Sequence, residues 1–176
     1  MPARAHLNAM LDPRAIADLV DVELSRYETA MTFLVTIATA EADLDACLAL
    51  RRAVFVDEQH VPVELELEGD EHLYTHFLLR DVDGSPLATA RLKLLDDAGK
   101  AQRVAVARAG RGRGAGVAVM QALHDETRRQ GRQRVVLSAQ VSAIPFYERL
   151  GYAAEGPVYD DAGIPHRDMS LVLPTV

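Results

Sequence analysis

The chain has 176 residues, 49% hydrophobic, 26% charged and 5% aromatic, which is enough for one domain with a sizeable core and argues against a second domain, a disordered chain or a fibrous repeat. A formal charge of −7 speaks against sequence-independent nucleic-acid binding, although arginines cluster between Arg103 and Arg134. The single cysteine, Cys47, excludes an intrachain disulfide and suggests no Cys-rich metal site, and no run approaches the roughly 20 apolar residues of a membrane span or an apolar leader, so a cytoplasmic protein with no metal and no membrane partner is expected.

Asp12-Pro13 opens a helix in which Ile16, Leu19, Val20 and Leu24 share one face. Residues 1–30 are therefore expected to form a helical extension that either docks on the main domain, packs against a second subunit in a homodimer, or is dispensable. The domain proper is placed at 31–176. Thr32 to Ala38 is rich in β-branched residues and predicts a strand, and a helix follows from Glu41 with Leu44, Cys47, Leu48, Arg51 and Val54 at helical spacing. Cys47 on that face is a core residue, not a nucleophile. The acidic run Glu64 to Glu71 reads as a loop, despite its strand-like alternation, solvated on at least one side. Tyr74 to Arg80 and Leu87 to Leu95 form a hairpin around Asp83-Gly84, and Arg103 to Val106 is a further strand. After a glycine-rich turn, a helix runs from Val117 to a stop near Gly131. Arg134 to Ser138 predicts a strand, Ala143 to Arg149 a short helix, and Tyr152 to Glu155 and Asp168 to Leu173 closing strands.

The most informative stretch is the turn from Gly110 to Gly116, where a strand passes through alternating glycines straight into a helix. Without side chains at Gly112, Gly114 and Gly116, backbone N–H groups can converge on an anion, and the positive helix end adds its partial charge. The spacing fits neither the dinucleotide fingerprint nor a P-loop, since Gly110-Arg-Gly-Arg-Gly-Ala-Gly116 lacks both G-x-G-x-x-G in a first βαβ unit and Gly-Lys-Ser/Thr.

Arg111-Gly-Arg-Gly-Ala-Gly116 resembles the Arg/Gln-x-x-Gly-x-Gly/Ala signature of the GNAT superfamily of N-acetyltransferases, and Leu137 to Tyr152, containing Phe146-Tyr147 and Gly151-Tyr152, resembles that family's later strand, helix and aromatic segment. Arg52 to Gln59, Val61-Pro62 with its acidic continuation, and Asp161 to His166 are similar to the ElaA/YjcF-like branch. The resemblance covers about residues 31–173. It implies an α/β fold with a mixed, mostly antiparallel central sheet, splayed at an acetyl-CoA cleft and flanked by helices. It also implies that acetyl-CoA is the cosubstrate.

On that resemblance, the backbone amides of Arg111, Gly112, Arg113, Gly114, Ala115, Gly116 and Val117 hold the CoA diphosphate. Val104 and Val106 pair with the pantetheine arm like an added strand, Gln140 stands where many members carry Asn, and Phe146 borders the cofactor. Tyr147 matches the tyrosine that protonates the departing thiolate, a task suited to a phenol that is protonated at neutral pH. Glu58, Gln59 and His166 fall in the branch-specific stretches and are candidate contacts for the acceptor, a small-molecule or protein amine. The base is left open among Glu58, Glu66, Glu68, His72, His76, His166 and a water relay. Competing readings are an acyltransferase with a different acyl-CoA donor and a CoA-binding module without turnover.

Overall fold

The computed structural model describes residues 33–67 and 69–174, so the expected N-terminal helix lies outside the described residues. Strand β1 (Phe33–Ile37) leads into α1 (Glu41–Arg51), whose first turn carries Glu41 and Asp43 and whose last carries Arg51, each sign on the helix end that favours it. The helix then widens into a π-helical segment, Arg52–Glu58, whose exit is marked by His60 at φ 61°. A short α2 (Val63–Glu66) and a 3₁₀ turn (Glu71–Leu73) bring the chain to β2 (Thr75–Asp81), β3 (Pro86–Leu94) and β4 (Gly99–Val106). Helix α3 (Ala115–Arg129), β5 (Arg134–Gln140), α4 (Ile144–Arg149), β6 (Ala153–Asp161) and β7 (Ile164–Val172) complete the order. The closing strands are longer than the sequence pattern suggests, because β6 and β7 continue outward as a hairpin turning at Ala162-Gly163.

The strands form one seven-stranded sheet in the order β1-β2-β3-β4-β5-β7-β6, antiparallel in β2-β3-β4 and β5-β7-β6 and parallel between β4 and β5. This is the splayed, mostly antiparallel architecture expected from the sequence. Strand β3 is buried on both faces because α1 and α3 both pack against it. Leu78 meets Cys47 and Leu50 on the α1 side, and Cys47 is fully buried, as expected of a core residue. No helix among the described residues is long and apolar enough to cross a membrane.

One expectation is met only in part. The acidic run is open to solvent at Glu64, Leu65, Leu67 and Gly69, but Glu66 is 2% exposed and Glu71 is largely enclosed. Glu66 accepts hydrogen bonds from Nε of Arg51 and pairs with Nε of Arg103 at 2.8 Å, while its carbonyl takes Arg51 Nη2 at 2.7 Å. Glu71 pairs with Arg51 at 2.8 Å and with Arg91 at 3.3 Å, and Arg91 also lies 3.8 Å over the Tyr74 ring. Buried guanidiniums demand carboxylates, and that demand pulls these two side chains of an otherwise exposed segment inward.

The back of α3 carries a second buried polar pair, in which His124 Nε2 and the Tyr152 hydroxyl lie 2.7 Å apart. Burial pushes the His124 imidazole down to about 4. An imidazole held neutral when folded binds its proton more readily when unfolded, so stability is full above about pH 6.5 and declines as pH falls from there towards 4. His124→Gln, which can still accept from the tyrosine, is expected to flatten that decline in urea titrations taken across the same range.

Candidate active site

The glycine turn owes its shape to Gly114, which caps α3 at φ 84°, a left-handed conformation costly for any residue with a Cβ. Among the described residues, the amides of Gly112, Gly114, Ala115, Gly116 and Val117 have no backbone acceptor. Those of Arg111 and Arg113 are drawn into long turn bonds of 3.3 and 3.4 Å to the carbonyls of Arg108 and Gly110. Five amides at a helix N-terminus form a cradle for an anion, and Val117, 36% exposed, lies at its rim. A Cβ on Gly116 would stand 3.2 Å from the Phe146 ring and 3.4 Å from Val106, so glycine there lets α3 close against both. The arginines of the turn have carboxylate partners: Arg111 pairs with Glu58 at 2.8 Å and Arg113 with Asp81 at 2.9 Å.

Beside the turn the sheet opens. Strands β4 and β5 are in register only at Gly99↔Val135 and Lys100↔Val136, after which each runs on without the other. The register of β3 with β4 shifts between Thr89 and Arg91, so β4 carries an extra residue there, and Arg103 sits in that bulge at φ 51°. Since the Ala107 N–H donates to Leu87, the antiparallel alternation turns Ala105 towards β3 and the backbone N–H and C=O of Val104 and Val106 towards the cleft. Arg111 Nε donates to the Val106 carbonyl from that open side at 3.1 Å. The unpaired edge is what an extended amide-bearing arm would need, and the free amides are what a diphosphate would need, so the residues fit a CoA thioester.

Tyr147 stands on α4, 8% exposed, between Phe146 and Tyr152 with ring centroids 5.0 and 5.6 Å away, both edge-on. Burial pushes its phenol up to about 12. Its hydroxyl has no hydrogen-bond partner among the described residues.

Across the mouth of the cleft, at the end of β5, Gln140 and Gln59 exchange amides: Gln140 Nε2 donates to Gln59 Oε1 at 2.7 Å and the reverse bond is 3.4 Å. Gln59, the residue that follows the π-helical segment, thus meets a residue 81 positions away. Glu58, one residue earlier, turns instead to Arg111 and to Arg108, 3.5 Å away, and Arg111 holds its carboxyl below the usual range. Register places His166 opposite both Gln140 and Tyr159. The Tyr159 ring stacks on His166 with centroids 6.2 Å apart, and its hydroxyl donates to Asp168 at 2.7 Å while meeting Ser138 Oγ. Sequence reasoning passed over Tyr159, Ser138 and Asp168. The alternation Ser138, Gln140 along β5 was the available signal, but only the register of three strands gathers these residues on one face. Among the described residues no group of three or more His, Cys, Asp or Glu is arranged to hold a metal.

A polar cradle at a helix start, a cleft edged by unpaired strand backbone and a buried phenol beside it define an acyltransferase of the GNAT class, and the acetyltransferase (GNAT) domain family matches residues 36–173. The chain belongs to that family. It is 35% identical over 134 residues to YjcF of Bacillus subtilis (strain 168), named an uncharacterized N-acetyltransferase, covering 76% of this chain and 95% of that one. Its fold matches Escherichia coli ElaA with a TM-score of 0.67 and 30% identity over 78% of this chain and 97% of that one. An acyl-CoA N-acyltransferase from Pseudomonas aeruginosa gives a TM-score of 0.68 at 29% identity, with the same two coverages.

Proposed function

We propose that this protein is an acetyl-CoA-dependent N-acetyltransferase that passes the acetyl group to a primary amine by direct attack while both substrates are bound. The observation that carries the reading is the cleft-facing backbone of Val104 and Val106 next to the free amides of Gly112 and Gly114 to Val117. Acetyl-CoA brings an activated thioester to this cleft. The turn amides hold its diphosphate, the β4 edge aligns its arm, Phe146 and Gln140 border it, and Arg111 and Arg113 add screened positive charge. Tyr147 hydrogen-bonds the sulfur as negative charge develops there and gives up its proton. The acceptor enters from the side of Gln59, Gln140 and His166. Cys47 takes no part, since it is buried in the α1 face and burial pushes its thiol up, away from thiolate.

Titration calorimetry with acetyl-CoA and a thiol-release assay over a panel of amines test this reading. Saturable binding together with amine-dependent thiol release is expected. Absence of binding at millimolar acetyl-CoA would remove it, and binding without turnover would leave only a CoA-binding module.

A further inference from the structure

We propose that His166 is the general base that takes the proton of the acceptor amine. The inference rests on the N-acetyltransferase reading and adds to it the proton acceptor that sequence leaves open. Its Nδ1 lies 2.8 Å from the carbonyl oxygen of Ile164. A carbonyl only accepts, so Nδ1 carries a proton, and the tautomer this fixes has its lone pair at Nε2. The ring is held from the side by Tyr159, itself tied through its hydroxyl to Asp168 and Ser138. It stands on the sheet face shared with Gln140, at the end of β5 where the cleft opens and where Gln59 meets Gln140.

The other candidates are committed or lie elsewhere. Glu66 is buried between Arg51 and Arg103. Glu58 is paired with Arg111. His76 is 4% exposed, with Nε2 at 2.9 Å from the carbonyl of Glu71. His72 belongs to the 3₁₀ turn before β2, and Glu68 is outside the described residues. His166 Nε2 has no partner among the described residues.

The step balances as follows. The amine nitrogen forms a bond to the acetyl carbon while Nε2 takes one N–H proton. The carbon–sulfur bond then breaks with its electron pair going to sulfur, and sulfur takes the proton of Tyr147. The products are an acetamide and a thiol, and transfer of one proton from imidazolium to phenolate, through solvent, restores both side chains.

The test uses the full chain with spermidine and a lysine-containing peptide as acceptor probes. His166→Ala is expected to lower kcat on the order of 10²-fold, with acetyl-CoA affinity by calorimetry unchanged, and added imidazole is expected to restore part of the lost rate. His166→Gln, closer in size, is expected to show the same loss without rescue. A His166→Ala rate within about threefold of the parent, or a loss that imidazole does not relieve, would overturn the assignment. If the parent protein binds acetyl-CoA but acetylates neither probe, the N-acetyltransferase reading falls, and the base assignment falls with it for that separate reason.

Discussion

Tyr147→Phe is expected to lower kcat by about 10²- to 10⁴-fold while leaving acetyl-CoA affinity close to that of the parent. The substitution removes a single hydroxyl from a ring that keeps its edge-on contacts with Phe146 and Tyr152, so packing is preserved and the loss reports on proton donation. That hydroxyl has no protein partner among the described residues, which leaves it free to donate to a departing sulfur. The pH dependence follows from its burial. A proton donor works while protonated and fails as pH rises through its pKa, and burial moves that point up to about 12. No alkaline loss of rate attributable to this phenol is therefore expected up to about pH 10, where an ordinary tyrosine would be half ionised. Steady-state rates of the parent from pH 6 to 10, at saturating acetyl-CoA, check this.

Glu66→Ala is expected to destabilise the fold by about 3–5 kcal/mol, read as a lower midpoint in urea with little change of slope. Among the described residues, Glu66 pairs with the guanidiniums of Arg51 and Arg103, and Glu71 with those of Arg51 and Arg91. Burial holds His76 below its ordinary value, so it adds little charge. Removing Glu66 takes from Arg51, 1% exposed, the carboxylate at its Nε and leaves it Glu71 at Nη1. The cost is the uncompensated buried charge, not the loss of one favourable bond. The same change removes one carboxylate partner of Arg103, whose backbone forms the β4 bulge at the cleft, so weaker acetyl-CoA binding is expected alongside the lower stability.

The glycine turn and the aromatic pair were legible in the sequence because they depend on local chemistry. Alternating glycines between a strand and a helix can be read at short range, and so can an aromatic pair at the start of a short helix. Glu66 was illegible for the opposite reason. In sequence its neighbours alternate with acidic residues and mimic a solvated strand, and only Arg51 and Arg103, 15 and 37 positions away, explain its burial. The bulge at Arg103 had no signal at all, since a positive φ at a non-glycine residue is imposed by the pairing of β3 with β4. The sheet face around His166 was half visible. His166 and Gln59 drew attention by motif, whereas Tyr159 and Asp168 join them only through the β5-β7-β6 register, and Glu58 turned out to face the arginines of the glycine turn.

The two rungs that join β4 to β5 carry a mechanical consequence. With backbone hydrogen bonding between the strand groups β1-β4 and β5-β7 limited to one end, other ties run through α3, which contacts β2, β3, β4 and β5 and reaches Tyr152 through His124, and through the Gln59–Gln140 pair. Such a molecule behaves like a book bound at the top of its spine: anything that threads the gap stitches the two leaves together, so thermal tolerance should climb with occupancy of the seam.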